Sequence, residues 1–152
     1  MKLLSCFLVI GFLASGCAST KLSQRTDVQD TVIAMVNAID TKKWSDATQF
    51  FDEKVFVDYE SLNGQKGSMV PAKNLVGGWE KVLTKVRTQH MLTNFVVDIN
   101  GETAETFSHV YASHLAKGYP YWDVYGRYHH KLKKNFNRDN IDIRDIRVIN
   151  SK

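Results

Sequence analysis

The chain has 152 residues, 43% of them hydrophobic and 11% aromatic, which suits one domain with a real core and is too short for two comfortable ones. Its formal charge of +4 is scattered, with Lys and Arg interleaved among Asp and Glu. The densest run, Lys131, Lys133 and Lys134, reads as a solvated strand edge, so nucleic acid is not expected as a partner.

The first segment has the pattern of an address. Lys2 supplies a positive start, Leu3 to Leu13 is an apolar run shorter than a membrane span, and the small residues Ala14-Ser15-Gly16 precede Cys17. Leu13 to Cys17 resembles a bacterial lipobox, which implies lipidation of Cys17, a signal over residues 1–16, a tether over 17–25 and a folded domain over 26–152. The membrane would then be reached through a lipid anchor on the periplasmic side of the cell envelope. Ordinary signal cleavage, giving a soluble periplasmic protein, is the alternative. Cys6 and Cys17 are the two Cys of the chain, so once the signal is removed no internal disulfide can form.

Thr26 with Gln29 has the form of a capping box, and Val28, Val32, Met35, Val36 and Ile39 recur at helical spacing, predicting a helix from about Asp27 to Asp40. Trp44, Ala47, Phe50 and Phe51 predict a second, short helix, and Lys54 to Tyr59 a short strand closed by a loop at Asn63-Gly64 and Gly67. From Pro71, the positions Ala72, Leu75, Val76, Trp79, Val82, Leu83 and Val86 form one helical stripe, weakened at Gly77-Gly78, where close packing is expected. Beyond it the period becomes two. Thr88–Ile99, Ala104–Leu115, Trp122–Asn135 and Ile141–Ile149 read as four long strands joined by turn residues. Ile141 and Ile143 share one phase of the last strand, Ile146 and Val148 the other, which predicts a bulge near Arg144 or Asp145. The fold class is α+β: a curved, mostly antiparallel sheet with about three helices on its concave side and a pocket between them, the default site for a small-molecule ligand.

Among titratable residues, His90 stands at the entrance of the first long strand, and imidazole is the ordinary proton carrier near neutral pH. His109, His129 and His130 look like exposed strand residues. Five His without His-x-x-x-His spacing or a supporting Cys give no metal site, and no Gly-rich phosphate loop or nucleophile elbow is present, so neither metal nor cofactor is expected.

Laid out in this way, Val28 to Ile149 resembles the SnoaL-like branch of the nuclear transport factor 2-like superfamily, and within it the scytalone dehydratase pattern. The matching residues are Asp40, Trp44, Asp58-Tyr59, Thr88-Gln89-His90 and His114, the two His 24 apart, one short of the family interval. The resemblance implies a cone-shaped fold, a cofactor-independent dehydratase or isomerase acting on a small cyclic or aromatic carbonyl compound, and catalytic roles for Asp40, Tyr59, His90 and His114. Asp40 would orient His114 as the base, Tyr59 would donate to the carbonyl, and Trp79, Asn94 and Tyr128 would line the ligand. Two departures stand out: Ile39 where the family has Tyr, and Gly126 and Tyr128 where it has Ser and Asn. They keep open a second reading, a non-catalytic binding or envelope assembly module. A homodimer is compatible with either.

Both His can line one pocket only if they share a face of the sheet. A two-residue turn at Asn100-Gly101 with an unbroken ladder puts them on opposite faces, because side chains alternate. A three-residue loop, Ile99-Asn100-Gly101, or an equivalent one-residue bulge elsewhere between His90 and His114, restores the shared face.

Overall fold

The computed structural model describes residues 16–135, 138 and 140–150; the segment 1–15, with most of the expected signal, lies outside them. The first helix, α1 (Gly16–Asp40), starts well before Asp27. The expected tether is therefore helical where it is described, and Thr26 sits inside the helix instead of capping it. The apolar spacing holds: Val28, Val32, Met35, Val36 and Ile39 are all buried. No helix among the described residues is long and apolar enough to cross a membrane.

The chain continues through α2 (Trp44–Gln49), β1 (Phe51–Asp58), the single turn α3 (Glu60–Asn63), β2 (Ser68–Pro71) and α4 (Ala72–Leu83). Four long strands follow: β3 (Val86–Asn100), β4 (Thr103–Ala116), β5 (Trp122–Asn135) and β6 (Asn140–Asn150). The fold is α+β, with one six-stranded sheet in the order β2-β1-β6-β5-β4-β3, parallel between β1 and β6 and antiparallel elsewhere. Four details differ from expectation. Phe51 opens β1 instead of ending α2, and Ser68–Pro71 is a strand on the edge of the sheet. Lys131, Lys133 and Lys134 are exposed but sit on β5, an inner strand; Lys131 meets Glu105 of β4 at 2.8 Å. The approach expected at Gly77-Gly78 is absent, since nothing lies within 4 Å of a Cβ built at either glycine.

The inner face of the sheet, α1, α2 and α4 enclose a core that includes Val32, Val55, Leu132 and Ile143. On β4 every even residue from Ala104 to Ala116 is buried, the period of a half-buried strand. Thr106, Ser108 and His114 belong to that inward row, so the core face of β4 is polar in places where an ordinary core strand would be apolar.

Two of the register shifts in the sheet bear on the site. On β6, Lys131 pairs with Asp145 and Leu132 with Ile143, so Arg144 is the extra residue at the predicted position, and both Ile143 and Ile146 reach the core. On β3, Thr93 pairs with His109 and Val96 with Phe107, leaving Asn94 and Phe95 opposite one residue of β4. Asn94 takes φ 55, a left-handed conformation that Asn tolerates better than most residues. The β3–β4 turn is not the predicted three-residue loop: Asn100 pairs with Thr103, leaving Gly101 (φ 58) and Glu102 as its two residues. The equivalent bulge is the one that forms, at Asn94.

Candidate active site

The Asn94 bulge decides where His90 points. From the turn, Ile99 and Val97 face the core; without an extra residue His90, of the other parity, would face outward. With it, His90 pairs with Ala112 and His114 with Thr88, both imidazoles on the inner face, their centroids 6.3 Å apart in an edge-on arrangement. Asn94 is exposed and its amide lies 3.4 Å from His109 Nδ1, so its expected role as a ligand-lining residue is corrected to one of backbone placement.

Asp40 reaches the same point from the end of α1. The helix closes with Lys42 N–H donating to the Ile39 carbonyl at 3.1 Å and Lys43 N–H to the Ala38 carbonyl at 2.8 Å, the Schellman pattern. Its left-handed position, usually Gly, is taken by Lys42 at φ 61. A carboxylate in the last turn of a helix opposes the macrodipole, so Asp40 is poorly placed for helix stability. Its compensation is His90, whose backbone N–H donates to Oδ2 at 2.8 Å and whose ring Nδ1 lies 2.7 Å from Oδ1.

The expected partner was His114, and the structure corrects this: Asp40 pairs with His90. The residue on β3 wins because its amide and ring meet the same carboxylate in a two-point contact. Burial by itself would raise the Asp40 pKa, but the hydrogen bonds from the His90 ring and amide, with that of Thr88, outweigh it and hold the carboxyl below its ordinary range. Lys42 Nζ donates to Thr88 Oγ1 at 2.9 Å, which completes a chain Lys42, Thr88, Asp40, His90. An ionised Asp40 can only accept, so His90 Nδ1 carries the proton and neutral His90 keeps its lone pair on Nε2.

His90, His114, Tyr59, Tyr128 and Trp79 line one cavity of about 160 Å³, with Ile39, Val124, Ile146 and Val148 among its apolar walls. Asp40 stands behind His90, outside the lining. Trp122 stacks on the His114 ring at 4.8 Å and holds it in place. Burial, and then the neighbouring His90, push the His114 pKa down, so it is neutral near pH 7. Burial pushes both Tyr59 and Tyr128 above the ordinary phenol value; both stay protonated donors. The neighbouring Trp79 indole offsets part of the rise at Tyr59. A larger groove of about 510 Å³ runs past Lys54, Arg144 and Asp145, but it contains none of these groups.

One residue that belongs to this site escaped the sequence reading. His130, expected on the surface, is 1% exposed and lines the cavity, its ring edge-on to Tyr128 at 5.5 Å. The available signal was parity: Tyr128, His130 and Leu132 lie two apart and share a face.

Comparison with known proteins agrees with this architecture. A curated relative, the uncharacterized protein Rv2910c of Mycobacterium tuberculosis, is 29% identical over 87 residues, and the match spans 57% of each chain, just over half the relative's length. The crystal structure of Kfla4162 from Kribbella flavida superposes with a TM-score of 0.80 at 20% identity, over 87% of this chain and 93% of that one. A candidate scytalone dehydratase from Novosphingobium aromaticivorans gives 0.77 at 20% identity, over 89% of both. At such identities these structures establish the fold alone. The SnoaL-like domain family matches residues 20–145, and the chain belongs to that family.

Proposed function

We propose that this domain catalyses a cofactor-independent proton transfer beside a carbonyl group, a dehydration or isomerisation, on a small single-ring compound. The observation that carries the reading is the two-point contact between Asp40 and His90, at 2.7 and 2.8 Å, in a cavity shared with a second, neutral His. A buried carboxylate fixes the tautomer of the imidazole and stabilises the imidazolium that forms, which is what a general base needs. His90 Nε2 takes the proton from the carbon next to the carbonyl, and the electron pair moves onto the oxygen as an enolate. Tyr59 and Tyr128, both neutral phenols, are the donors available to that oxygen. In an isomerisation His90 returns the proton to another carbon; in a dehydration the proton leaves with the departing hydroxyl, and His114 is the polar neighbour.

Cavity size limits the substrate. An apolar cavity of about 150 Å³ admits benzene, so one of about 160 Å³ has room for a single ring. The likeness to a candidate scytalone dehydratase supports the same class of chemistry.

The test is exchange of α-protons of cyclohexanone in D₂O, followed by NMR. Wild-type protein should exceed the buffer rate, and His90→Gln or Asp40→Asn should remove on the order of 10²–10⁴ of the acceleration. Exchange no faster than buffer would overturn the catalytic reading. The second reading, a binding or assembly module of the same fold, rests on Ile39, apolar and in the cavity wall where scytalone dehydratases have Tyr. Binding of the ring without exchange is its signature. We propose in addition that the protein is exported and anchored through lipidated Cys17, on the strength of the small residues that precede it.

A further inference from the structure

His130 has no part in the proton transfer described above, yet it is the most buried imidazole of the site. Neither of its ring nitrogens has a hydrogen-bond partner among the described residues, and the hydroxyls of Thr106, its cross-strand neighbour, and Ser108 are likewise unpartnered. Buried polar atoms left without partners destabilise a fold, so a fold that keeps an imidazole in such a position has a use for it. The ring lines the cavity, so a ligand there lies beside a ring whose two nitrogens are unpartnered and covered.

Tyr128 has both imidazoles as ring neighbours, its centroid 6.5 Å from that of His90 and 5.5 Å from that of His130. A six-membered ring packed on Tyr128 therefore lies near both imidazoles. We propose that His130 is a specificity-determining binding residue that takes the hydroxyl of a phenol or enol. A hydroxyl both donates and accepts, so it can pair with either nitrogen of a neutral imidazole, the one that carries the proton or the one that does not. Burial pushes the His130 pKa down to about 3, and a carboxylate in this position would face an uncharged ring. Uncharged hydroxyl compounds are the matching class.

The inference rests on the single-ring reading of the cavity, and the test separates the two. Phenol and toluene differ by hydroxyl against methyl on one ring, and the dissociation constant of each is measured by ligand-observed NMR at neutral pH. The phenol-to-toluene affinity ratio should be about tenfold higher in wild type than in His130→Leu, the effect of one hydrogen bond lost to a buried group. His130→Gln, which keeps a donor and an acceptor, should retain part of the preference. Asp40→Asn should leave it unchanged. A ratio that His130→Leu does not move overturns the inference. If Asp40→Asn removes the preference and His130→Leu does not, the hydroxyl sits at the Asp40–His90 pair, and the inference falls while the proton-transfer reading stands. If neither ring binds wild type at millimolar concentration, the ring-sized pocket itself is wrong and both fall.

Discussion

Lowering the pH from about 7.5 to about 5 should weaken the fold through His130, and His130→Leu should remove that part of the loss. In the unfolded chain His130 titrates at 6.5, whereas burial holds it near 3 in the fold. Between those values the unfolded state binds a proton that the folded state does not, so stability falls as the pH falls. At about pH 5 the gap is about 1.5 pH units below the unfolded value, which amounts to about 2 kcal/mol at 1.36 kcal/mol per unit. That is a large share of the roughly 5–15 kcal/mol of a typical domain. His114 and His129, also pushed down by burial, act in the same direction in both proteins. Asp40, held below its ordinary 3.8, contributes its stability above that value and loses it only in stronger acid, outside this window. Urea unfolding followed by tryptophan fluorescence measures the effect, and with a slope of about 2 kcal/mol per molar the difference is about 1 M in midpoint. The variant should also be as stable as wild type or more so at neutral pH, since two unpartnered ring nitrogens are gone. Equal losses on acidification in wild type and His130→Leu would refute the reasoning.

Asn94→Val should destabilise the protein by about 1–2 kcal/mol, because a β-branched residue resists φ 55, and should also impair phenol binding by disturbing His90. Asn94→Gly should keep both properties; chemical denaturation that cannot tell Val from Gly would contradict the role of the bulge. Gly78→Ala, in the interior of α4 with nothing near its Cβ, should stabilise by about 0.5–1 kcal/mol, and an unchanged or lower melting temperature would count against that helix geometry. Labelled palmitate should be incorporated into the full chain expressed in a bacterium and be lost in Cys17→Ser; equal labelling of the two would dispose of the lipid anchor.

Much of the fold was legible in the residues. The helical spacing from Val28 to Ile39, the period-two runs of the last four strands and the phase change at Arg144 all correspond to observed elements. Each depends on chemistry within a few residues: which side chains recur at 3.6 or 2 positions, and which dipeptides turn. The candidate site was legible only as a set of residues. Tyr59, His90, His114, Trp79 and Tyr128 do line one cavity, with Asp40 directly behind His90.

What the sequence could not determine was which of those residues meet. Whether Asp40 holds His90 or His114 depends on the left-handed turn at Lys42 that ends α1 and on the strand that this turn approaches. Whether His90 faces inward depends on one extra residue at Asn94, because a shift of one reverses the face of every residue before it. His130 differs, since its parity with Tyr128 and Leu132 was legible and places it on their face. Periodicity is local and survives small errors in position; face and pairing accumulate over the whole ladder, so only the assembled sheet decides them.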